Sequence, residues 1–149
     1  MTNLYETDFY AWAQQQAKLL KIKAWDELDA ANLIEEIESL GRKERQELRN
    51  RLGILIGHLL KWQYQPQYRS NSWLATIREQ RRRLQELLLE NPSLQPYLAE
   101  TLDRAYQDGV DLAVRETNLP YETFSPTCNY MLEQVLNAEF LPGRDGDRT

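Results

Sequence analysis

Cysteine and histidine are almost absent from this 149-residue chain, which contains one of each, Cys128 and His58. A single cysteine cannot form a disulfide within the chain, and it is typical of a reducing compartment such as the cytoplasm. Zinc sites need several His, Cys or carboxylate ligands, and carboxylate-bridged metal centres in helical bundles use paired Glu-x-x-His motifs. Since neither pattern occurs, we expect no metal site and no other cofactor.

Patterns typical of enzyme active sites are also missing. The sequence contains no Ser-His-Asp, Cys-His or phosphate-loop arrangement, and Cys128 has no base close to it in sequence. We therefore favour a protein without catalytic activity. An enzyme whose site is assembled from dispersed Arg, Glu, His and Tyr side chains is kept as an alternative hypothesis.

Long hydrophobic runs are a further absence. The longest apolar stretch, residues 52–60, is interrupted by Gly53, Gly57 and His58, and it is much shorter than the roughly 20 residues that span a bilayer. The first residues lack the basic and apolar regions of a signal peptide. With 42% hydrophobic and 28% charged residues, the composition is that of a globular protein. We expect a soluble, cytoplasmic protein without membrane contact.

Apolar residues recur every three or four positions along most of the sequence, which is typical of α-helices. We predict helices at residues 8–21, 73–89, 94–116 and 130–137. Thr7 is the predicted N-cap of the helix at residues 8–21, and Ser93 is that of the helix at residues 94–116. The helix at residues 73–89 is capped by Ser70, Asn71 or Ser72. The helix at residues 8–21 is expected to bury Phe9, Trp12, Ala13, Leu19 and Leu20. The helix at residues 73–89 is expected to bury Trp73, Ile77, Leu84, Leu87 and Leu88.

Between the helices at residues 8–21 and 73–89, the same spacing predicts one long helix of about 35 residues, capped by Asp29 or a neighbour. The apolar positions of this helix, which we expect to face the core, are Leu33, Ile37, Leu40, Leu48, Leu52, Leu55, Leu59 and Trp62. Gly41 is its weak point, because glycine costs about 1 kcal/mol relative to alanine inside a helix. A kink or break at Gly41 is therefore an alternative.

Together these segments predict an all-α fold. We expect residues 1–142 to form a single domain of the four-helix-bundle type, with a long second helix and a short C-terminal helix. Residues 143–149 are polar and glycine-rich, and we expect them to form a disordered tail.

Gly53 and Gly57 lie four residues apart on one face of the long helix. Glycine is entropically costly in a helix, so the pair indicates a place where a second backbone comes close. We favour close packing against another helix of the same chain. A homodimer formed through this face is the alternative.

Charge is unevenly distributed along the chain. Residues 42–83 hold eleven Lys/Arg and three Asp/Glu, a net charge of +8, whereas the whole chain has a net charge of −5. The other 107 residues therefore carry −13. Such segregation indicates that the basic segment faces either acidic helices of the same chain or an external partner.

The basic segment also contains aromatic residues, and this mixture is typical of surfaces that bind single-stranded nucleic acid. The candidate binding surface consists of Lys61, Tyr64, Tyr68, Arg69, Arg78, Arg81, Arg82 and Arg83. The acidic total charge opposes general affinity for nucleic acid, so we keep that function as an alternative only. We expect the arginines, including residues 81–83, to pair with acidic residues of neighbouring helices instead.

Several motifs carry a resemblance to a known family. They are YETDFYAWAQQQAKLL (5–20), NLIEEIESLGR (32–42), HLLKWQYQP (58–66), SWLATIREQRRRL (72–84) and the later PYETF and EQVLNAEFLP segments. The chain is similar over nearly its whole length to the cyanobacterial "domain of unknown function 29" family. The resemblance implies a compact, all-helical bacterial domain without assigned activity or catalytic residues. Because an acidic helical bundle without catalytic groups most often binds macromolecules, we favour a helical interaction or regulatory module whose partner is another protein.

Overall fold

The computed structural model describes residues 3–143, and over these residues the chain is helical and contains no β-strand. Its helices are α1 (Leu4–Thr7), α2 (Phe9–Lys21), α3 (Ala30–Tyr64), α4 (Asn71–Glu90), α5 (Leu98–Thr117) and α6 (Leu132–Leu136). The all-α prediction, with a long second major helix and a short C-terminal helix, is confirmed. The predicted tail lies, apart from Gly143, outside the described residues.

The chain is divided into two compact units, Met1–Lys43 (unit 1) and Glu44–Thr149 (unit 2). Helix α3 belongs to both, since it is continuous from Ala30 to Tyr64. The extent of a single domain over residues 1–142 stays a prediction.

The start of α2 differs from its prediction. Asp8 is the N-cap, and its carboxylate accepts a hydrogen bond from the Ala11 amide at 3.1 Å. Thr7 is instead the last residue of α1, where its hydroxyl donates to the Asn3 carbonyl. The predicted Thr7 cap is therefore wrong. An unpredicted turn of helix precedes α2, and it leaves Asp8 as the residue with non-helical backbone at the junction.

Unit 1 is organised around Trp12, whose side chain is 4% exposed. The Tyr5 ring packs edge-on against it, with centroids 4.7 Å apart. The Trp12 indole N–H donates to Asp29 Oδ2 at 3.0 Å, and Gln16 accepts from the Asp29 amide at 2.8 Å. Asp29 also accepts from the Asn32 amide in the first turn of α3. The predicted Asp29 cap is thus confirmed, and the same residue joins α2 to α3.

Helix α3 contains 35 residues, about 52 Å at a rise of 1.5 Å per residue. The prediction of one long helix is confirmed, and the alternative of a break at Gly41 is wrong. In its second half, Leu48, Leu52, Leu55 and Leu59 are completely buried, as predicted.

The first half of α3 is not buried as predicted. Ile37 and Leu40 are 65% and 61% exposed, and Phe9 and Leu20 of α2 are likewise exposed. Helical spacing correctly places Ile37 and Leu40 on one face. Their burial would need a neighbouring element over that face, and no described part of the chain covers it.

The core of unit 2 brings together α3, α4, α5 and the C-terminal segment. Around the buried leucines of α3 lie Ile77, Leu84 and Leu87 of α4, Leu98, Ala105, Tyr106, Val110 and Ala113 of α5, and then Phe124, Val135 and Leu141. Burial of this much apolar surface is the main contribution to the stability of the unit.

Gly53 and Gly57 allow α5 to approach α3 closely. A β-carbon at Gly57 would lie 2.8 Å from Leu112 Cδ2, and one at Gly53 would lie 3.1 Å from Asp108 Cβ. The contact is mutual, because a β-carbon at Gly109 would lie 2.9 Å from the Gly57 nitrogen. The favoured interpretation, close packing within the chain, is therefore what the structure shows. The homodimer through this face stays a prediction.

The start of α4 agrees with prediction and that of α5 does not. Ser70 caps α4, since its hydroxyl oxygen accepts from the Trp73 amide at 3.3 Å. The predicted Ser93 cap is wrong, because Pro92–Tyr97 is a 3-10 helix and α5 begins at Leu98. The Leu94 amide donates to the Asn91 carbonyl at 3.0 Å, so a 3-10 turn has already begun before Ser93.

Candidate binding groove on helix α4

A groove of about 890 Å³ runs along α4 in unit 2. Its α4 wall consists of Leu74, Ile77, Arg78, Arg81, Arg82, Gln85 and Leu88, and its opposite wall of Leu136, Ala138, Glu139 and Leu141. The α4 residues follow one another at helical spacing, so they share one face of the helix. From residue 74 to residue 88 the groove extends about 21 Å along the helix axis.

Both ends of the groove are apolar and its middle is basic. Leu74 and Ile77 lie towards one end of the α4 wall and Leu88 lies at the other, with Arg78, Arg81 and Arg82 between them. Glu139 is the one acidic residue among the described lining residues. The lining therefore carries a net positive charge in the middle of an apolar surface.

Arg81 is the central feature of the groove, since its side chain is only 8% exposed. Its Nε donates to the Val135 carbonyl at 2.9 Å, and its Nη atoms donate to the Gln134 and Ala138 carbonyls at 3.3 and 3.5 Å. These carbonyls lie in the last turn of α6 and just beyond it, where no i+4 amide of the helix is left to bind them. Arg81 thus fastens the second wall of the groove to α4.

The charge on Arg81 is not balanced by a carboxylate. Of the ion pairs within 4.0 Å that join described residues, none includes Arg81. Burial lowers the pKa of Arg81 to about 10, so the guanidinium remains protonated at neutral pH. A buried cation held by carbonyl dipoles alone is favourable to an incoming anion.

Three of the eight residues of the predicted binding surface therefore meet in one groove: Arg78, Arg81 and Arg82. Arg83 points to a different neighbour, Glu79 on the same helix, at 3.7 Å. Tyr68 is 65% exposed but does not line the groove.

The other predicted residues have partners within the fold. Lys61 is 5% exposed, its ammonium pairs with Glu116 at 2.8 Å, and it lies 4.7 Å from the Trp73 ring centroid. The Tyr64 ring packs edge-on against Phe124. Lys61 and Tyr64 therefore contribute to packing in the present conformation.

Arg69 is held against α3. Its guanidinium lies 4.9 Å from the centroid of the Trp62 ring, and its Nε donates to the Trp62 carbonyl at 2.9 Å. Trp62 itself packs against the core of unit 2, which agrees with its position on the apolar stripe. It is covered by Arg69 rather than open to stack on a base.

The expected pairing of the basic segment with acidic helices is confirmed for α3. Arg45 pairs with Glu100 at 3.2 Å, and Arg49 makes two hydrogen bonds to the Asp108 carboxylate at 2.7 and 3.0 Å. Together with Lys61 and Glu116, these contacts join the basic face of α3 to the acidic face of α5.

The same expectation is wrong for residues 81–83, because no ion pair between described residues joins any of them to another helix. Arg81 binds backbone carbonyls, and Arg83 pairs within its own helix, because α4 packs against the C-terminal segment along this face. The second groove wall was not predicted. The apolar run Phe140, Leu141 and Pro142 was a sequence signal for it, and the structure buries all three residues.

A second cavity of about 670 Å³ is lined by Tyr64, Tyr106 and Tyr130. Tyr130 donates to Gln63 and Tyr106 to the Ser125 carbonyl, both at 2.6 Å. Burial raises the pKa of Tyr106 to about 12 and raises the pKa of Tyr130 further. Tyr106 and Tyr130 are therefore neutral hydrogen-bond donors at physiological pH.

His58 lies on α3 inside unit 2, half-buried. Its Nδ1 is 2.9 Å from the Ile54 carbonyl, and burial lowers its pKa below the usual value of 6.5. It is a satisfied boundary histidine. Across residues 3–143, no group of three or more His, Cys, Asp and Glu side chains is placed to hold a metal ion.

Within the described residues, no helix combines the length and the apolarity that crossing a membrane requires. The resemblance seen in the sequence motifs is confirmed, because the model of the family described as "Domain of unknown function DUF29" matches residues 4–141. Comparisons with curated proteins and with solved structures find no match.

Proposed function

We propose that this chain, which belongs to the "Domain of unknown function DUF29" family, is a helical protein-interaction module. Its α4 groove holds an amphipathic helix of a partner protein, and that helix carries acidic residues at its centre. The observation that carries the proposal is Arg81, a 92% buried cation that lines an apolar groove and has no carboxylate partner among the described residues.

The dimensions and chemistry of the groove favour a helical ligand. A length of about 21 Å corresponds to roughly four helical turns. In helix-in-groove recognition, apolar side chains at positions i, i+3 or i+4 and i+7 fill the apolar parts of the receptor. Leu74, Ile77 and Leu88 offer those parts, and a carboxylate between them reaches Arg78 or Arg82. Arginine is well suited to this role because it can bind a carboxylate through two hydrogen bonds.

Two alternatives are less well supported. Nucleic-acid binding depends on many exposed cations, whereas Lys61 and Arg81 are buried and the chain carries −5. Catalysis would need a nucleophile or base held in the groove, and the carboxylate of Glu139, which is exposed, is the one such group in its described lining. A cytoplasmic location, part of the same proposal, is supported by the free thiol of Cys128.

Selection from a displayed library of helical peptides tests the proposal. Wild-type protein is expected to enrich peptides with a central Glu or Asp flanked by apolar residues at helical spacing. The double variant Arg78→Gln/Arg82→Gln is expected to bind those peptides at least tenfold more weakly, since each charged hydrogen bond contributes about 1.5–3 kcal/mol. The double variant Arg42→Gln/Arg83→Gln removes the same charge outside the groove and is expected to bind like wild type.

Three results would overturn the proposal. One is enrichment of peptides without central acidic residues. Another is equal loss of binding in both double variants, which would indicate an effect of net charge alone. The third is binding of a single-stranded oligonucleotide that Arg78→Gln/Arg82→Gln abolishes, which would favour the nucleic-acid alternative.

A further inference from the structure

We propose that the cavity lined by Tyr64, Tyr106 and Tyr130, here called the tyrosine cavity, binds a small uncharged ring compound whose edge carries carbonyl oxygens beside an N–H group. Nucleobases with oxo groups and the isoalloxazine ring of flavins share this chemistry. The cavity has a volume of about 670 Å³, within the roughly 300–1,000 Å³ that is typical of small-molecule sites. It has no lining residue in common with the α4 groove, so the proposal is independent of the proposed function.

The inner and outer parts of the tyrosine cavity differ in character. Tyr106 and Phe140 in its lining are 2% and 8% exposed, and the Tyr130 ring packs edge-on against Phe140 with centroids 6.0 Å apart. Gln63 and Asn129 also line the cavity, and both are exposed. The buried part therefore offers aromatic rings on which a flat ligand packs, and the outer part offers side-chain amides to the polar edge of that ligand.

The amides of the lining have hydrogen-bonding groups to spare. Gln63 Oε1 accepts from the Tyr130 hydroxyl at 2.6 Å, and Gln134 Oε1 accepts from the Met131 amide at 2.9 Å. The oxygens are thus engaged, while the NH₂ groups of both glutamines remain as donors among the described residues. The Asn129 side chain makes no hydrogen bond to a described residue, so it offers both a donor and an acceptor. Carbonyl oxygens beside an N–H group complement this set.

Charge in the lining excludes ionic ligands. Among the described residues that line the tyrosine cavity there is no Asp, Glu, Lys, Arg or His. Taking a charged group out of water without a partner of opposite charge is costly, so an uncharged compound is favoured over a phosphorylated one or an organic acid. The three arginines of the α4 groove select for the opposite kind of ligand.

Titration of the wild type with uridine and with riboflavin tests the proposal. Each compound is compared with its counterpart methylated at ring nitrogen N3, which lacks the N–H between two carbonyl groups. We expect at least one parent compound to bind and to shift the side-chain amide NMR resonances of Gln63, Asn129 and Gln134. Methylation is expected to weaken that binding at least tenfold. Binding of uridine alone assigns the cavity to nucleobases, and binding of riboflavin alone assigns it to the isoalloxazine ring.

Two variants place the binding in the cavity. Asn129→Leu and Gln63→Leu each remove an amide from the lining and are expected to weaken binding at least tenfold. Asn50→Leu is the matched control, because Asn50 is exposed on α3, about 15 Å along the helix axis from Leu60, and it is expected to bind like wild type. Circular dichroism checks the folding of all three variants. Since Gln63 also accepts from Tyr130, Asn129→Leu alone decides the test if Gln63→Leu unfolds.

Three results would overturn the proposal. One is the failure of both uridine and riboflavin to bind the wild type. Another is equal binding of a parent compound and its N3-methylated counterpart, because the N–H group would then have no role. The third is wild-type affinity in Asn129→Leu, which would place the binding outside the tyrosine cavity.

Discussion

The two halves of α3 differ in what covers their apolar faces. In unit 2 the helix is enclosed by α4, α5 and the C-terminal segment, and Leu48, Leu52, Leu55 and Leu59 are fully buried. In unit 1 the helix has contacts with α1 and α2 through Glu36, Asp29 and their partners, while the face of Ile37 remains exposed. One continuous helix thus serves both as the centre of a core and as an open surface.

The difference shows that an apolar helix face indicates a packing contact but does not indicate whether the same chain or another molecule provides the second surface. In unit 2 the contact is made by the chain itself, and it contributes to folding. In unit 1 no element among residues 3–143 covers the face. An exposed apolar strip of this kind is typical of a surface for another molecule.

The largest expected difference concerns truncation of an apolar residue in each half. Leu55→Ala leaves a cavity in the core of unit 2 and is expected to lower the free energy of unfolding by about 2–5 kcal/mol. Ile37→Ala removes an exposed side chain and is expected to change it by less than about 0.5 kcal/mol. Urea unfolding at low protein concentration measures both. Similar losses for the two variants would contradict the comparison.

Replacement of glycine by alanine is expected to change stability in opposite directions in the two halves of α3. Gly57→Ala places a methyl group 2.8 Å from Leu112, and such overpacking costs about 1–3 kcal/mol. Gly41→Ala meets open space and is expected to stabilise the isolated chain by about 1 kcal/mol. Thermal unfolding followed by circular dichroism measures the sign. Destabilisation by Gly41→Ala would show that Gly41 is packed within the chain.

Removal of an ion pair is expected to lower stability more in the second half of α3 than in the first, but this difference is smaller than the two above. Arg49 binds both oxygens of the partly buried Asp108, and Arg49→Gln is expected to cost about 1 kcal/mol. The Arg42–Glu35 pair is more exposed, and Arg42→Gln is expected to cost less than about 0.5 kcal/mol. Unfolding at low and high salt measures both changes. An equal or larger loss for Arg42→Gln would be the contrary result.

The smallest expected effect is a change of stability with pH, which comes from protonation of His58 in the buried half of α3. Burial lowers the pKa of His58 below 6.5 in the folded chain, so the unfolded chain binds a proton first as the pH falls. The contribution of neutral His58 to the free energy of unfolding is therefore complete above about pH 6.5. It is lost as the pH falls from 6.5 through the lower pKa of the folded chain. The imidazole resonances of this single histidine report its pKa directly, and a value at or above 6.5 would contradict its burial.

Sequence patterns predicted the features that local chemistry decides. The spacing of apolar residues predicted the length of α3, the carboxylate of Asp29 predicted its start, and the Gly53–Gly57 pair predicted close packing. Each depends on residues within a few positions of one another. The all-α fold and the family followed from the same local patterns.

What could not be predicted depends on residues far apart in sequence. Arg81 lies between Gln80 and Arg82 and resembles a residue of a solvated helix face, yet it is buried by carbonyls more than 50 positions away. The groove exists because residues 136–141 pack beside α4. In the same way, the exposure of Ile37 follows from the absence of a covering element among the described residues, which periodicity cannot reveal.

Amide hydrogen exchange along α3, measured at low protein concentration, tests the difference between its halves most directly. We predict that amides of residues 48–60 exchange only through global unfolding, and that amides of residues 31–43 exchange much faster through local opening. Uniform protection along the whole helix under these conditions would contradict the account, because it would show that both halves of α3 belong to one equally packed core.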